Sequence, residues 1–377
     1  MKICFLGDGQ HINTQSWIKY LADVLDHEVH LVTFGHVMSP SKKVRVYSLS
    51  EGRRLKTFLR YIIYILPLKK LIATISPNIL IGYRISSYGF MAASVNFHPL
   101  VLAAQGQNIS YNNSRVKAYF AQYAIRKADL IHSWGEHMTQ KLQEFGAAPD
   151  RILTLPRGIN TNLFVPAKER TSQSQCYNLI TTRGLNPDYN FEQILNSLSV
   201  LKTSIRNFKY IIAGDGPYKT QLIQKVSALE LEPYVDFAGK IRYEDLPKYL
   251  QTSDIYISMV VTDGVSSSLL EAMACGIFPI VTNNAANKLW IDDGVNGYLV
   301  RFGDHVELAS KIEAAIKNIE LRRKAEKINR VLVLEKASVD KNMRIFQNAW
   351  DKLVLSQSFV KSGKDQDHYL NEYLEFK

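Results

Sequence analysis

The chain has 377 residues, of which 46% are hydrophobic and 21% are charged, and it carries a net charge of +11. This length predicts two domains, and the composition excludes a disordered or fibrous protein. The three cysteines are too few and too widely spaced for a disulfide framework or a metal site. No apolar run is long enough for a transmembrane helix, and the apolar stretch at the N-terminus is too short for a signal peptide. We therefore expect a cytoplasmic protein.

Short apolar strands alternate with amphipathic helices in the first half of the chain. This alternation predicts a parallel sheet that is covered by helices on both faces. The predicted strands are residues 2–7, 28–34, 79–83, 100–104, 130–133 and 152–155, and the clearest helices are residues 13–25 and 116–127.

The alternation restarts after a polar segment at residues 167–175, which we interpret as a linker region. The prediction is an α/β protein with Rossmann-like domains at residues 1–165 and 166–345. A C-terminal helix and tail at residues 346–377 either packs on the first domain or stays mobile. Ligands in doubly wound sheets bind beyond the carboxyl ends of the strands. The strands of the second half are predicted at residues 177–182, 209–213, 235–238, 255–258, 278–282 and 298–300, and its helices at residues 191–202, 219–229, 246–251, 267–274, 306–316 and 343–355.

The densest chemical signal follows the predicted strand at residues 255–258. A loop with Gly264 and three serines opens a helix there, and the free amides of a helix start can bind phosphate oxygens. Asp263 and Glu271 stand eight positions apart around this start. Their carboxylates could accept hydrogen bonds from the vicinal hydroxyls of a sugar and a ribose. Composition alone gives equal weight to an alternative in which Asp263 only caps the helix and Glu271 only forms a structural salt bridge.

This stretch, with Ala272-Met273-Ala274 after Glu271, resembles the acidic-x7-Glu signature of the retaining glycosyltransferases of family 4. Residues 156–166, 213–217, 235–241 and 293–300 are similar to further family segments, in the family's order. The resemblance implies the GT-B fold, with two Rossmann-like domains that face a central cleft. It also implies a metal-independent hexosyltransferase that uses a nucleotide-diphosphate sugar, with a UDP-sugar favoured and no other cofactor.

The resemblance also assigns three catalytic residues. Glu271 would hold the donor ribose, Asp263 would contact the transferred sugar, and Arg183 would bind the diphosphate. The family usually has Glu where this chain has Asp263, so the sugar contact can differ. A lysine that usually follows the arginine is missing near Asn190, and Lys288 is a candidate replacement. The complete predicted donor-binding set is Arg183, Gly214, Gly216, Lys240, Ile241, Asp263, Gly264, Val265, Ser266, Ser267, Leu270, Glu271 and Lys288.

Two loops of the first half are predicted to contact the acceptor. Gly7, Asp8 and Gly9 follow the first strand, where the glycines either admit a ligand or only form a turn. Gln107 and Asn108 follow the strand at residues 100–104, and related enzymes tend to have an acid where this chain has Asn108. The resemblance allows activity without that acid, because the donor phosphate can take the acceptor proton in a retaining mechanism. His132, Trp134, Glu136 and His137 also fit the family pattern, as lining or structural residues.

Residues 37–75 contain nine basic residues and one acidic residue, which account for +8 of the net charge. Within them, residues 53–70 are both apolar and cationic. They either lie in the interface of an anionic membrane, at its inner face, or form an ordinary helix that packs on the sheet. No nucleic-acid-binding motif accompanies the charge.

The sequence leaves the acceptor open between a lipid-linked saccharide and an envelope polysaccharide precursor. A nucleotide-sugar epimerase and a non-catalytic GT-B subunit that binds a membrane partner remain as alternative functions.

Overall fold

The structure is a computed structural model that describes residues 1–49, 57–104, 114–168, 176–261 and 265–362. The chain divides into two compact units. The first unit contains Met1–Leu155 and Arg344–Lys377, and the second contains Pro156–Met343. Several predicted residues lie outside the described ranges, namely Arg53, Arg54, Lys56, Gln107, Asn108, Asp263 and Gly264.

The first unit is built on a seven-stranded parallel sheet with the order β3-β2-β1-β4-β5-β6-β7. The inner strands are mostly buried on both faces, as expected for apolar strands that are covered by crossover helices, whereas the two edge strands β3 and β7 are only partly buried. The strands are β1 (Lys2–Leu6), β2 (Glu28–Thr33), β3 (Val44–Ser48), β4 (Ile79–Tyr83), β5 (Leu100–Ala103), β6 (Leu130–Ser133) and β7 (Ile152–Thr154), and the helices are α1 (Ile12–Asp23), α2 (Thr57–Ile63), α3 (Ile65–Ile75), α4 (Phe90–Ser94), α5 (Arg115–Lys127) and α6 (Glu136–Glu144).

The second unit is built on a six-stranded parallel sheet with the order β10-β9-β8-β11-β12-β13. Strand β9 pairs with one side of β8, and β11 pairs with the other side of β8, so the strand order reverses at β8. The strands are β8 (Tyr177–Thr181), β9 (Phe208–Ile212), β10 (Val235–Phe237), β11 (Ile255–Ser258), β12 (Phe278–Thr282) and β13 (Tyr298–Val300), and the helices are α7 (Phe191–Leu201), α8 (Lys219–Ala228), α9 (Leu246–Gln251), α10 (Ser267–Ala274), α11 (His305–Lys317) and α12 (Ile319–Lys336).

The last helix, α13 (Val339–Ser362), begins in the second unit and continues in the first. Its Phe346 and Trp350 are fully buried. The Phe346 ring stacks on the ring of His132 at a centroid distance of 4.1 Å, and Trp350 Nε1 donates a hydrogen bond of 3.0 Å to His132 Nε2. This apolar contact makes the helix part of the first unit's core.

Several elements of the structure were not named in the prediction from the sequence, among them strand β3 and helices α4, α6 and α12. Strand β3 lies at the sheet edge in a polar, basic stretch, and helix α12 follows α11 almost without a break. The structure also begins the last helix earlier and ends it later than residues 343–355. None of the helices in the described ranges combines the length and the apolar character that crossing a bilayer requires.

Candidate active site

The reversal of strand order places the carboxyl ends of β8 and β11 side by side in the second sheet. Open α/β sheets bind ligands in the crevice beyond such a reversal. Arg183 follows β8 at this edge. Its Nε donates to Ser258 Oγ at 3.3 Å, and its Nη2 donates to Ser266 Oγ at 2.7 Å. One guanidinium therefore joins the ends of β8 and β11 to the start of α10.

Ser266 is the N-cap of α10, because its Oγ accepts a hydrogen bond from the amide of Leu269 at 3.3 Å. The Ser266 hydroxyl is also 3.1 Å from Ser268 Oγ, which accepts a hydrogen bond from the Tyr256 hydroxyl at 2.9 Å. Ser267, the first helical residue, is exposed. The helix start thus combines free amides, an exposed hydroxyl and a neighbouring arginine, which is a favourable setting for an anion.

Glu271 lies one turn into α10 and is only 7% exposed. Burial raises the pKa of its carboxyl to about 8, while Arg157 and Arg183 act in the opposite direction. The structure therefore brings Arg183, Ser266 and Glu271, which the sequence predicts as site residues, to one place. A carboxyl with such a pKa changes between its neutral and ionised forms near physiological pH.

The glycine turn after β9 packs directly against the backbone that follows β8. A Cβ atom on Gly214 would lie 1.9 Å from the carbonyl oxygen of Arg183, and one on Gly216 would lie 2.4 Å from that of Leu185. The Leu185 amide also donates to the carbonyl of Asp215 at 3.0 Å. These glycines are required for the close approach that positions Arg183. A donor contact through their backbone stays a prediction.

Tyr189 stands in the segment where the family resemblance places a lysine. Its ring lies 5.1 Å from the guanidinium carbon of Arg183. An aromatic face over an arginine limits the orientations of the guanidinium and adds a cation–π attraction.

The other predicted donor residues have less central positions. Leu270 is buried in the apolar core around α10, and Val265 packs against the same core. Lys240 and Ile241 follow the edge strand β10, and Lys288 is exposed in a short turn after β12. Their roles in donor binding stay predictions.

Gly7, Asp8 and Gly9 connect β1 to α1 at the carboxyl edge of the first sheet. The amide of Gly9 donates to Thr33 Oγ1 at 2.9 Å, and Asp8 accepts from the amide of Gln10 at 3.1 Å. A Cβ atom on Gly9 would lie 2.9 Å from a methyl carbon of Val37. The loop is therefore shaped by tight packing, and its contact with an acceptor stays a prediction.

Arg84 is a candidate that the sequence analysis missed. It follows β4, the neighbour of β1, and begins a π-helix at Arg84–Gly89 with a left-handed φ of +70°. Non-glycine residues with such a φ are uncommon and cluster at functional sites. The available signal in the sequence was a basic residue directly after a predicted strand.

Arg157 and Tyr243 are two further residues that the sequence analysis did not select. The pKa of Tyr243 is raised by burial of its hydroxyl and by the Glu271 carboxylate, and it is lowered by Arg157. The charge of Glu271 therefore influences the Tyr243 hydroxyl, although 43% of the surface of Tyr243 is exposed. Neither residue stands near Glu271 in the sequence, so no local pattern points to them.

Two family models match the chain. The family described as "Glycosyl transferases group 1" matches residues 170–331, and the family described as "Glycosyl transferase 4-like" matches residues 2–134. Together they cover the core of both units. The chain belongs to the group 1 glycosyltransferases. This membership confirms the family that the sequence motifs indicate.

Curated relatives in this group are similar over part of their length. N-acetyl-alpha-D-glucosaminyl L-malate synthase of Bacillus anthracis is 29% identical over 233 residues, which are 60% of this chain and 58% of the relative. The amylovoran biosynthesis glycosyltransferase AmsK of Erwinia amylovora is 26% identical over 176 residues, or 45% of this chain and 43% of the relative. The chain spans about half the length of the curated relatives it matches.

A solved structure extends the likeness to the whole fold. Alr3699/HepE of Anabaena, crystallised in complex with UDP, superposes with a TM-score of 0.79 at 18% identity, and the match covers 93% of this chain and 99% of that chain. Together with the two all-parallel sheets, this likeness confirms the predicted GT-B fold class.

Proposed function

We propose that the protein is a retaining glycosyltransferase that moves a sugar from a nucleotide-diphosphate sugar, with a UDP-sugar favoured, to a saccharide acceptor. The observation that carries the proposal is the convergence of Arg183, the start of α10 and Glu271 at the strand reversal of the second sheet. Family membership and the UDP complex of the similar Anabaena protein support it.

Arg183 and the start of α10 are proposed to hold the diphosphate. The guanidinium now donates to two serine hydroxyls, and phosphate oxygens are stronger acceptors for the same hydrogen bonds. During transfer, negative charge develops on the departing diphosphate, and prearranged donors stabilise that charge. The arginine and the helix amides would supply the positive potential at the diphosphate. We therefore propose a reaction that is independent of a metal ion.

Glu271 is proposed to accept hydrogen bonds from the ribose hydroxyls of the donor. An ionised carboxylate has two oxygens that can accept from a vicinal pair, whereas a protonated carboxyl must use one oxygen as a donor. Asp263, which lies outside the described residues, keeps its proposed contact with the transferred sugar. The donor phosphate would take the acceptor proton, so the proposed reaction needs no side-chain base at Asn108.

We further propose that the acceptor is a lipid-linked saccharide or an envelope polysaccharide precursor at the inner face of the membrane. The apolar face of α2 and α3 supports this location. Large apolar side chains stand 48–71% exposed there, beside Lys69 and Lys70, and such a surface suits anionic headgroups. The members of this apolar face are Leu59, Ile62, Ile63 and Leu66.

A nucleotide-sugar panel with the purified chain tests the main proposal. UDP or a UDP-sugar should raise the melting temperature by mass action, and a saccharide acceptor should gain a sugar with the donor's anomeric configuration. Arg183→Ala should lower the rate of transfer by about 10²–10³-fold, because it removes one of the prearranged donors. Arg206→Ala is the matched control, since Arg206 is exposed just before β9, at the opposite edge of the same sheet.

Each other outcome has a definite meaning. Equal transfer by the Arg183→Ala variant and the parent chain would contradict the assigned site. Epimerised donor without an acceptor product would favour the epimerase. Binding without any turnover would favour the non-catalytic subunit.

A further inference from the structure

We propose that Arg60 of α2 binds the phosphate group of the acceptor, and that the acceptor is a saccharide joined to an apolar chain through a phosphate or diphosphate. This inference rests on the proposed function, because it selects one of the two acceptors proposed above. It assigns a role to a cation of the basic stretch at residues 37–75 that the proposed membrane contact does not use.

Helix α2 and the start of α3 form one helical path with two different faces. The Tyr64 amide donates to the carbonyl of Arg60 at 3.2 Å, and the Leu68 amide donates to that of Tyr64 at 3.0 Å. The apolar face of this path stands 48–71% exposed. On the opposite face, Tyr61 and Leu68 are buried in the core of the first unit, and Tyr64 packs against it. Arg60 precedes Tyr61 and is only partly buried.

The Arg60 guanidinium lies among aromatic rings. Its Cζ is 4.6 Å from the centroid of the Phe34 ring and 5.1 Å from that of Tyr61, and its Nη2 donates to the Tyr61 hydroxyl at 3.3 Å. The Phe34 ring also contacts the rings of Tyr64 and Tyr88, at centroid distances of 5.5 and 5.7 Å. Stacking on aromatic faces attracts a guanidinium and limits its orientations. Aromatic rings therefore orient this cation.

The charge of Arg60 is not balanced by an acid in the described part of the chain. Lys43 and Arg45, from the same basic stretch, pair with Asp26 and Glu28, whereas no carboxylate of the described residues pairs with Arg60. Its Nε is buried and has no hydrogen-bond partner among those residues. Buried polar groups normally have a partner, and phosphate oxygens accept the parallel hydrogen bonds of a guanidinium. The geometry thus suits a phosphate ligand.

Arg60 lies beside the loop that connects β1 to α1. Phe34, which stacks on Arg60, directly follows β2, and its amide donates to the Tyr88 hydroxyl at 3.4 Å. Thr33, the last residue of β2, accepts a hydrogen bond of 2.9 Å from the Gly9 amide through Oγ1. Because β1 and β2 are parallel neighbours, this loop and Phe34 leave the sheet at the same carboxyl edge. The cation is therefore close to the loop that is predicted to contact the acceptor.

The order of these parts matches the order of parts in a lipid-linked saccharide. The apolar face would contact the apolar chain at the bilayer surface. Arg60 would bind the phosphate on the other side of the helix, whose diameter is about 10 Å. The saccharide would then extend toward the loop after β1. A neutral polysaccharide offers no anion to the guanidinium and no chain to the apolar face.

Titration calorimetry with geranyl diphosphate tests this site, with UDP in saturating excess to fill the proposed donor site. The parent chain should bind geranyl diphosphate at least about tenfold more tightly than inorganic diphosphate, because only the former has an apolar chain. Arg60→Gln should weaken the binding of geranyl diphosphate about tenfold, because charge-assisted hydrogen bonds are lost. Arg60→Lys should have an intermediate affinity, since an ammonium keeps the charge but not the planar fork.

Arg45→Gln is the matched control, because it removes one positive charge from the same basic stretch at a side chain that is 69% exposed. It should change the affinity by less than about twofold, since water and salt screen an exposed charge. Hydrogen exchange of peptides from β1 and β2 checks that each variant keeps the first unit folded. Arg60→Met, which keeps an apolar stem beside the rings, is measured in parallel.

The outcomes separate this inference from the proposed function. Failure of the parent chain to bind geranyl diphosphate, or equal affinities of the parent chain, Arg60→Gln and Arg60→Met, would overturn the inference. Inorganic diphosphate that binds as tightly as geranyl diphosphate would indicate a free phosphate ligand and would also overturn it. If UDP does not raise the melting temperature of the parent chain, the proposed donor site fails, and the geranyl diphosphate titrations still decide the role of Arg60.

Discussion

His132 and Glu271 are buried titratable groups in different units, and their surroundings differ. His132 lies among aromatic rings, and burial lowers its pKa to about 3. Glu271 has a pKa raised to about 8 by the same cause, but Arg157 and Arg183 act against the shift. Both groups follow the rule that burial disfavours the charged form. Only Glu271 has nearby cations that keep its charged form accessible.

This difference separates a structural group from a candidate functional one. His132 stays neutral over the whole physiological range and accepts one hydrogen bond from Trp350, so its role is to join β6 to α13. Glu271 lies at the carboxyl edge of a strand reversal, where a ligand could complete its environment. Burial alone therefore does not select a candidate site residue, and it is the converging opposite charge that makes Glu271, rather than His132, the candidate.

The largest expected effect concerns the buried aromatic contacts of His132 in the first unit. Trp350→Ala removes a fully buried indole and the hydrogen bond to His132, and it should destabilise the first unit by about 3–5 kcal/mol. Hydrogen exchange of peptides from β6 and α13 in increasing urea measures the change within this unit. Leu355→Ala, at a residue that is 42% exposed on the same helix, is the control and should change stability by less than about 0.5 kcal/mol. Equal changes of stability in the two variants would contradict the structural role of Trp350.

The next effect is the pH dependence of the stability of the second unit, which contains Glu271. The folded pKa of Glu271, about 8, lies above its ordinary value of 4.5, so between these values the folded state binds a proton that the unfolded state does not. The stability contributed by the neutral carboxyl is complete below about pH 4.5 and is lost as the pH rises toward 8. Relative to the parent chain, Glu271→Gln should therefore gain up to about 1.4 kcal/mol for each pH unit between 5 and 8.

Hydrogen exchange of peptides from α10 at pH 5, 6.5 and 8 measures this gain. His132 provides the contrast in the same experiment. Its folded pKa lies below the ordinary value of 6.5, so the first unit should lose stability as the pH falls from 6.5 toward 3. A Glu271→Gln gain that does not change with pH would contradict the assigned protonation of the carboxyl.

The smallest expected effect compares exposed surfaces of the two units. Leu66→Ser combined with Lys69→Gln and Lys70→Gln should reduce sedimentation with phosphatidylserine-containing vesicles several-fold, because an apolar contact and two cations are lost. Sedimentation of the parent chain should also fall as salt rises. Lys324→Gln with Lys327→Gln, on the exposed face of α12, is the control for charge alone. Equal sedimentation of the parent chain and the triple variant would contradict membrane binding through the apolar face.

Local patterns in the sequence were enough for most elements of both sheets. Buried parallel strands are continuous apolar runs, and amphipathic helices repeat at a helical period, so each can be recognised within a short window. The three serines that open α10 were recognised from the local sequence, and Ser266 is the N-cap of this helix. Strand β3 was missed because it is short, lies partly exposed at the sheet edge, and has only two alternating valines in a basic stretch.

The sequence by itself determined the alternating α/β order and the family, and with them the choice of Arg183 and Glu271 as candidates. Only the tertiary structure decided that Arg157 lowers the pKa of the Glu271 carboxyl and that this carboxyl raises the pKa of Tyr243. It also decided that Gly214 packs against Arg183 and that His132 belongs to an aromatic core. The physical reason is that electrostatic influence and burial depend on distance in space. Segments that are far apart in the chain meet through the strand order and through contacts such as the hydrogen bond from Arg183 to Ser266, and no local pattern contains that information.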